Sequence, residues 1–118
     1  NRLKRKMLLQ LDATLRYKQD AALSISDLQK IDFPYNTYLY KGLPPTPIAQ
    51  PGLASMRAAL NPSPNPSAGD PICVGLKANE KCEYLYYVIA DKEGGHVFAA
   101  TFAQHEANIV KAKQAGVM

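Results

Sequence analysis

At 118 residues the chain has room for one small domain. Its 47% hydrophobic and 20% charged content is ordinary for a globular protein and excludes disorder of the whole chain. The formal charge of +4 gathers at Arg2, Lys4, Arg5 and Lys6 without interleaved aromatic residues or a zinc-finger or RNP-type motif, so nucleic acid is excluded as the expected partner, and no stretch approaches the roughly 18 apolar residues of a membrane span.

Residues 1–7 read as a helix end. The chain starts without Met or a signal peptide, and Leu3, Met7 and Leu8 look like the tail of a helix already under way, so a piece of a longer protein is expected. Leu8-Leu9-Gln10-Leu11 suits extended backbone. Asp12 stands at the start of a turn of helix, either as its N-cap or as a pocket residue. Ser26 and Gln29 have capping-box spacing and predict a short helix stopped by Pro34. Tyr35 to Tyr40 mixes aromatic and polar residues, with Tyr38 and Tyr40 two apart, which predicts extended, half-buried backbone.

All but one of the nine prolines fall between Pro44 and Pro71, so the middle of the chain is expected to be mostly loop. Within it, Pro51-Gly52 opens a helix to about Leu60 with Leu53, Met56 and Leu60 on one face. Residues 63–83 read as a surface insertion. It contains Cys73 and Cys82, whose spacing fits neither a C-x-x-C redox motif nor a zinc motif. A disulfide closing the loop and two free thiols are both open on composition.

Tyr84 to Ala90 is the clearest strand, Asp91 to Gly95 a turn, and His96 to Ala99 a second strand, which together predict a hairpin. Thr101 and Gln104 form a capping box for a helix to about Ala112, with Phe102, Ile109 and Ala112 on its buried face and Gly116 just past its end. The fold class is α+β: a small sheet with a C-terminal β-hairpin followed by a helix, and long Pro-rich loops.

Catalytic templates are missing: no G-x-S-x-G elbow, no phosphate-cradling glycine loop, no H-E-x-x-H. Two histidines, His96 and His105, are too few for a metal site by themselves. Cleavage of a glycan needs a carboxylic acid in an enclosed setting, and Glu80, Glu83, Glu93 and Glu106 lie in the insertion, a turn and the last helix. Tyr35, Asn36 and Tyr38 suit a sugar site, since aromatic faces stack on pyranose rings and amides bond hydroxyls; they equally suit a structural strand. His96 is either structural or cleft-lining.

The order of these pieces resembles the YceG-like (MltG) family of endolytic murein transglycosylases. The matching stretches are Asn1-Arg2-Leu3, Leu9 to Thr14, Tyr35-Asn36-Thr37-Tyr38, Gly42-Leu43-Pro44-Pro45 and Pro47-Ile48-Ala49. Pro51-Gly52, Ser55, Ala58 to Pro62, Tyr84 to Val88, Gly94 to Phe98, Thr101 and His105 complete the pattern. Leu11 and Ala13 depart from the family's usual residues around Asp12, and residues 63–83 are longer than its usual link.

The resemblance implies that residues 1–118 are the C-terminal portion of a catalytic domain that cleaves the MurNAc–GlcNAc bond within nascent glycan strands, leaving anhydro-muramyl ends. The family's catalytic glutamate belongs to a stretch upstream of Asn-Arg-Leu, so no residue here inherits that role and the fragment alone is expected to be inactive. Gln10, Asp12, Thr14, Tyr35, Asn36, Tyr38 and His96 are implied to line the glycan cleft. Peptidoglycan strands are the implied partner, with cell-wall synthesis proteins as further candidates, and no cofactor or metal is expected. The family's older name, aminodeoxychorismate lyase, would imply pyridoxal phosphate, for which the lysines offer no setting. The implied location is the extracytoplasmic side of the bacterial plasma membrane, with anchoring only through a missing N-terminal part. That location favours the Cys73–Cys82 disulfide. The other reading is a non-catalytic glycan-binding or protein-docking module of the cell envelope.

Overall fold

The computed structural model describes residues 1–118, which divide into two compact units, Asn1–Pro62 and Ser63–Met118. The fold is α+β, with short helices and one two-stranded antiparallel sheet. No helix is long and apolar enough to cross a membrane.

In the first unit, residues 1–7 make a single helical turn and no longer helix. Met7 N–H bonds to Arg2 O (2.9 Å) and Lys6 N–H to Leu3 O (3.1 Å), and Lys6 takes the left-handed φ of 57°. That pair of bonds is a Schellman ending, so the segment does terminate as a helix end would. Helix α1 spans Asp12–Arg16. Leu11 is its N-cap and makes no side-chain bond, so Asp12 is the first helical residue and not the cap. Its carboxylate instead accepts from the Tyr38 hydroxyl.

Helix α2 spans Ile25–Leu28 and begins two residues earlier than the Ser26 spacing predicts. Ser24 is the cap: its Oγ accepts from Asp27 N–H (3.1 Å) and donates to Asp27 Oδ2 (2.6 Å). A capping box needs only a hydroxyl and, three residues on, an acceptor, and Ser24-x-x-Asp27 satisfies it as well as Ser26-x-x-Gln29. Helices α1 and α2 lie against each other, and each carries one fully buried leucine, Leu15 and Leu28.

The predicted extended run Tyr35–Tyr40 is a chain of turns. Leu39 and Tyr40 N–H both bond to Asn36 O (3.1 and 3.0 Å), which curls the backbone instead of extending it. The alternation of aromatic and polar residues there reflects a turn folded around one buried amide, not a strand. Leu8–Leu11 is likewise unpaired as a strand, although Gln10 N–H reaches Thr37 O (3.1 Å). Helix α3 spans Leu53–Leu60 as expected. All of its residues are exposed, Leu53, Met56 and Leu60 included.

In the second unit, strands β1 (Tyr86–Ile89) and β2 (His96–Ala99) pair antiparallel, with Tyr87 opposite Phe98 and Val88 opposite Val97. Strand β1 is shorter than the predicted Tyr84–Ala90, but Leu85 N–H to Ala99 O and Ala90 N–H to Gly95 O carry the pairing beyond both ends. The connecting turn is organised by Asp91, whose Oδ1 accepts from Glu93 N–H (3.0 Å) and Gly95 N–H (2.7 Å). A Cβ at Gly95 would run into the Asp91 carboxylate, so glycine here lets Asp91 keep both bonds.

Helix α4 runs Phe102–Gln114, capped by Thr101, whose side chain accepts from Gln104 N–H (3.3 Å). Gly116 at φ 70° ends it, with Val117 N–H on Ala112 O (3.1 Å). Val88, Ala99, Ala100 and Ala112 form the core between helix and hairpin; small residues let the backbones approach. Phe102, expected to be buried, is 57% exposed. It opens the helix, and its ring lies against Tyr86 (centroids 5.9 Å) instead of entering that core. Residues 63–83 belong to this unit. A short 3-10 turn, Pro71–Cys73, is capped by Asp70; Cys73 and Cys82 are joined by a disulfide; and Gln104 Nε2 donates to Val74 O (3.0 Å).

Candidate functional site

The polar residues singled out in the first unit are organised by contacts far apart in sequence. Thr37 is the centre. Its Oγ1 receives Leu11 N–H (2.9 Å) and shares a proton with Thr14 Oγ1 (2.8 Å), while its carbonyl receives Gln10 N–H. Thr14 Oγ1 also bonds Leu11 O (2.8 Å). These bonds tie the start of α1 to the Tyr35–Tyr40 turn. Both threonines are buried, so two hydroxyls that would otherwise be unsatisfied answer each other.

Asn36 does the same for α2. Its Nδ2 donates to Ile31 O (2.8 Å), Gln29 O (3.0 Å) and Leu28 O (3.3 Å), and its Oδ1 accepts from Tyr38 N–H (2.9 Å). One side chain thereby bonds the carbonyls at and just beyond the C-terminus of α2, of which Leu28 O also accepts from Ile31 N–H (3.2 Å). Asn36 is 0% exposed, so its amide is committed to the protein interior. Among the residues expected to line a cleft, Thr14 and Asn36 therefore lie beneath the surface.

On the surface above them, Tyr38 Oη donates to Asp12 Oδ1 (2.6 Å). Burial, and then this bond to the carboxylate, push the Tyr38 phenol up to about 12; Gln29 bonds the same hydroxyl and, with Arg2, opposes the shift. Arg2 Nη1 donates to Leu8 O and Leu9 O (both 3.0 Å) and approaches Gln10 Oε1 (3.4 Å). Gln10 itself holds a left-handed φ of 52°. A residue other than glycine in that region stores strain that the Arg2 and Thr37 bonds must offset. The result is an exposed Asp12 carboxylate with one oxygen fixed by a phenol, and an exposed Gln10 amide held by the same bonded network.

Tyr35 is half-buried. Its hydroxyl pairs with Thr46 Oγ1 (2.7 Å) and its ring packs on Tyr17 (centroids 4.7 Å, planes at 51°). Tyr40 donates to Asp32, which pushes its phenol above the ordinary tyrosine value. His96 belongs to the second unit, where it is exposed and packs edge-to-face on Tyr87 (centroids 5.4 Å).

Such an arrangement can hold hydroxyl groups: a carboxylate to accept, an amide to do both, and aromatic faces nearby. It holds no activated nucleophile, and no three His, Cys, Asp or Glu side chains converge as metal ligands would. Glu80, Glu93 and Glu106 are exposed and unenclosed. Arg2, Gln29 and Thr37 were not singled out as site residues from sequence. Arg2 and Thr37 lie inside the Asn-Arg-Leu and Tyr-Asn-Thr-Tyr stretches, which was the available signal; Gln29 gave none.

The model of the YceG-like family matches residues 1–111. The chain is 40% identical over 108 residues to an endolytic murein transglycosylase of Bacillus subtilis (strain 168), covering 89% of this chain and 25% of that protein. A crystal structure of a YceG-like protein from Listeria monocytogenes superposes with a TM-score of 0.68 at 35% identity, over 91% of this chain and 30% of the other. The chain thus spans less than a third of each relative. With a family match over nearly its whole length and a fold shared at clear sequence identity, the chain belongs to the YceG-like family.

Proposed function

We propose that this chain is the C-terminal, glycan-lining portion of a lytic transglycosylase domain acting on peptidoglycan outside the plasma membrane. The observation that carries the reading is the fixed Asp12–Tyr38 pair beside Gln10, exposed on a scaffold whose buried polar groups are all spent on holding it. The Bacillus relative is a murein transglycosylase by name, and the matched stretch includes every residue of that pair and its support.

In the proposed reaction a glutamate from outside residues 1–118 protonates the glycosidic oxygen leaving C1 of MurNAc. The same carboxylate then takes the proton of the muramyl 6-hydroxyl as that oxygen bonds C1. One C–O bond breaks and one forms, no water is consumed, and no cofactor is required. Gln10 and Asp12 accept or donate to sugar hydroxyls. Tyr38 orients Asp12, and Tyr35 offers ring surface. Thr14 and Asn36 act from below by fixing the backbone that carries them. His96, with Tyr87, supplies sugar contact within the second unit.

The test is glycan binding by this chain, read by chemical-shift changes on adding soluble murein oligosaccharides. Shifts at Gln10, Asp12 and Tyr38 that disappear in Asp12→Ala support the reading. Binding that leaves those residues untouched sinks it.

A further inference from the structure

The first unit contains a concave surface that shares no lining residue with the Asp12–Tyr38 group. It is an open pocket of about 260 Å³ formed by Leu3, Lys6, Met7, Lys41 and Gly42. Two features of the backbone build it. The Schellman ending puts Lys6 in the left-handed conformation directly before Met7, and Gly42 at φ 88° turns the chain directly after Lys41, with open space where a Cβ would be. The floor is aliphatic, from Leu3 and Met7, and the only charges in the lining are the two lysines. No carboxylate lines it, and no hydrogen bond or ion pair of the chain engages either ammonium.

We propose that this pocket binds a carboxylate attached to a small aliphatic group, as found at the C-terminal alanine of a short peptide. Two unspent ammonium groups are complementary to one carboxylate, and the adjoining aliphatic floor is complementary to a methyl group. A bare inorganic anion would use the lysines and leave the floor wet; a neutral apolar ligand would leave the lysines unused. The volume is at the small end of ligand pockets, which suits one terminal residue rather than a long segment. Murein carries short peptides on its sugars, so it would present such a group; that identification alone rests on the function proposed above.

The test uses the whole chain and an acetylated dipeptide ending in alanine, with its C-terminal amide as control, followed by NMR titration. The expected result is saturable shifts at Leu3, Met7, Lys41 and Gly42. The amide and a Lys6→Gln/Lys41→Gln variant are each expected to bind about tenfold more weakly, the scale of two solvent-facing ion pairs. Raised salt should weaken the acid and not the amide. Both lysines are exposed, so the variant is expected to keep its fold, checked by unchanged resonances of Leu15, Leu28 and Asn36 in the core of the same unit. Equal binding by the variant, or displacement of the peptide by equimolar inorganic phosphate, would overturn the proposal. No glycan is present in this assay, so its outcome is separate from that of the Asp12 glycan titration.

Discussion

Replacing Asn36 by Ala tests whether one buried amide holds the candidate site together. Four bonds are lost: three to the carbonyls of Leu28, Gln29 and Ile31, and one from Tyr38 N–H. The 3.3 Å bond is the weakest, so about three carry the effect. A buried polar group left unpaired costs about 1–3 kcal/mol, and the local turn relaxes enough for water to reach some of them. Adding the void left by the deleted side chain, we expect a loss of about 3–4 kcal/mol. The assay is urea unfolding followed at resonances of residues 1–62, with residues 63–118 as the internal comparison. Asn36→Asp keeps the shape and the Tyr38 bond but faces a charge toward three carbonyls, so it should be at least as damaging. A loss below about 1 kcal/mol for Asn36→Ala would refute the idea that this amide organises the turn.

Other outcomes follow from the same structure. The Tyr38 phenol ionises at about 12 instead of 10.0, so its neutral form stabilises the fold fully below pH 10, and that contribution is lost as pH rises through 12. Tyr38→Phe should remove this alkaline loss, read as stability against pH with ultraviolet titration of the phenols. Bonds from Ser24 hold the Asp27 carboxyl below its ordinary 3.8, so its stabilisation is present above that value and fades as pH falls through the lowered one. Ser24→Ala should bring the Asp27 midpoint, measured by NMR, back up. Gly95→Ala forces Asp91 aside and breaks its bonds to Glu93 and Gly95 N–H, which should cost the hairpin about 1–3 kcal/mol in thermal or urea unfolding. Replacing Cys73 and Cys82 by Ser should cost about 2–3 kcal/mol, the closure entropy of so short a loop.

Much of the second unit was legible in the sequence because its signals are local. The hairpin follows from a β-branched and aromatic run, a Gly-Gly turn and a second run, and α4 follows from Thr101-x-x-Gln104 and Gly116. Phe102 escaped because periodicity says which face a residue shares, not whether the first turn overhangs the core. The first unit was harder to read. Its helices α1 and α2 are only five and four residues long, too short for periodicity to speak, and bonds between segments, Thr14–Thr37 and Asn36–Ile31, hold them in place. A polar residue in an aromatic run looks the same on paper whether it faces solvent or caps a neighbouring helix. Asn36 therefore read as a sugar ligand, and the structure places it in the interior. Asp12 was legible as important at a helix start, yet its partner, Tyr38, lies 26 residues away, and no local rule joins them.

The most direct measurement is mass spectrometry of purified peptidoglycan after incubation with this chain, alone and together with the upstream part of its parent. The account predicts no anhydro-muropeptides from the chain alone and their appearance when the upstream part is restored. Anhydro products from the chain alone would place the acid within these residues, with Asp12 the first to replace, and would contradict the division of the site proposed here.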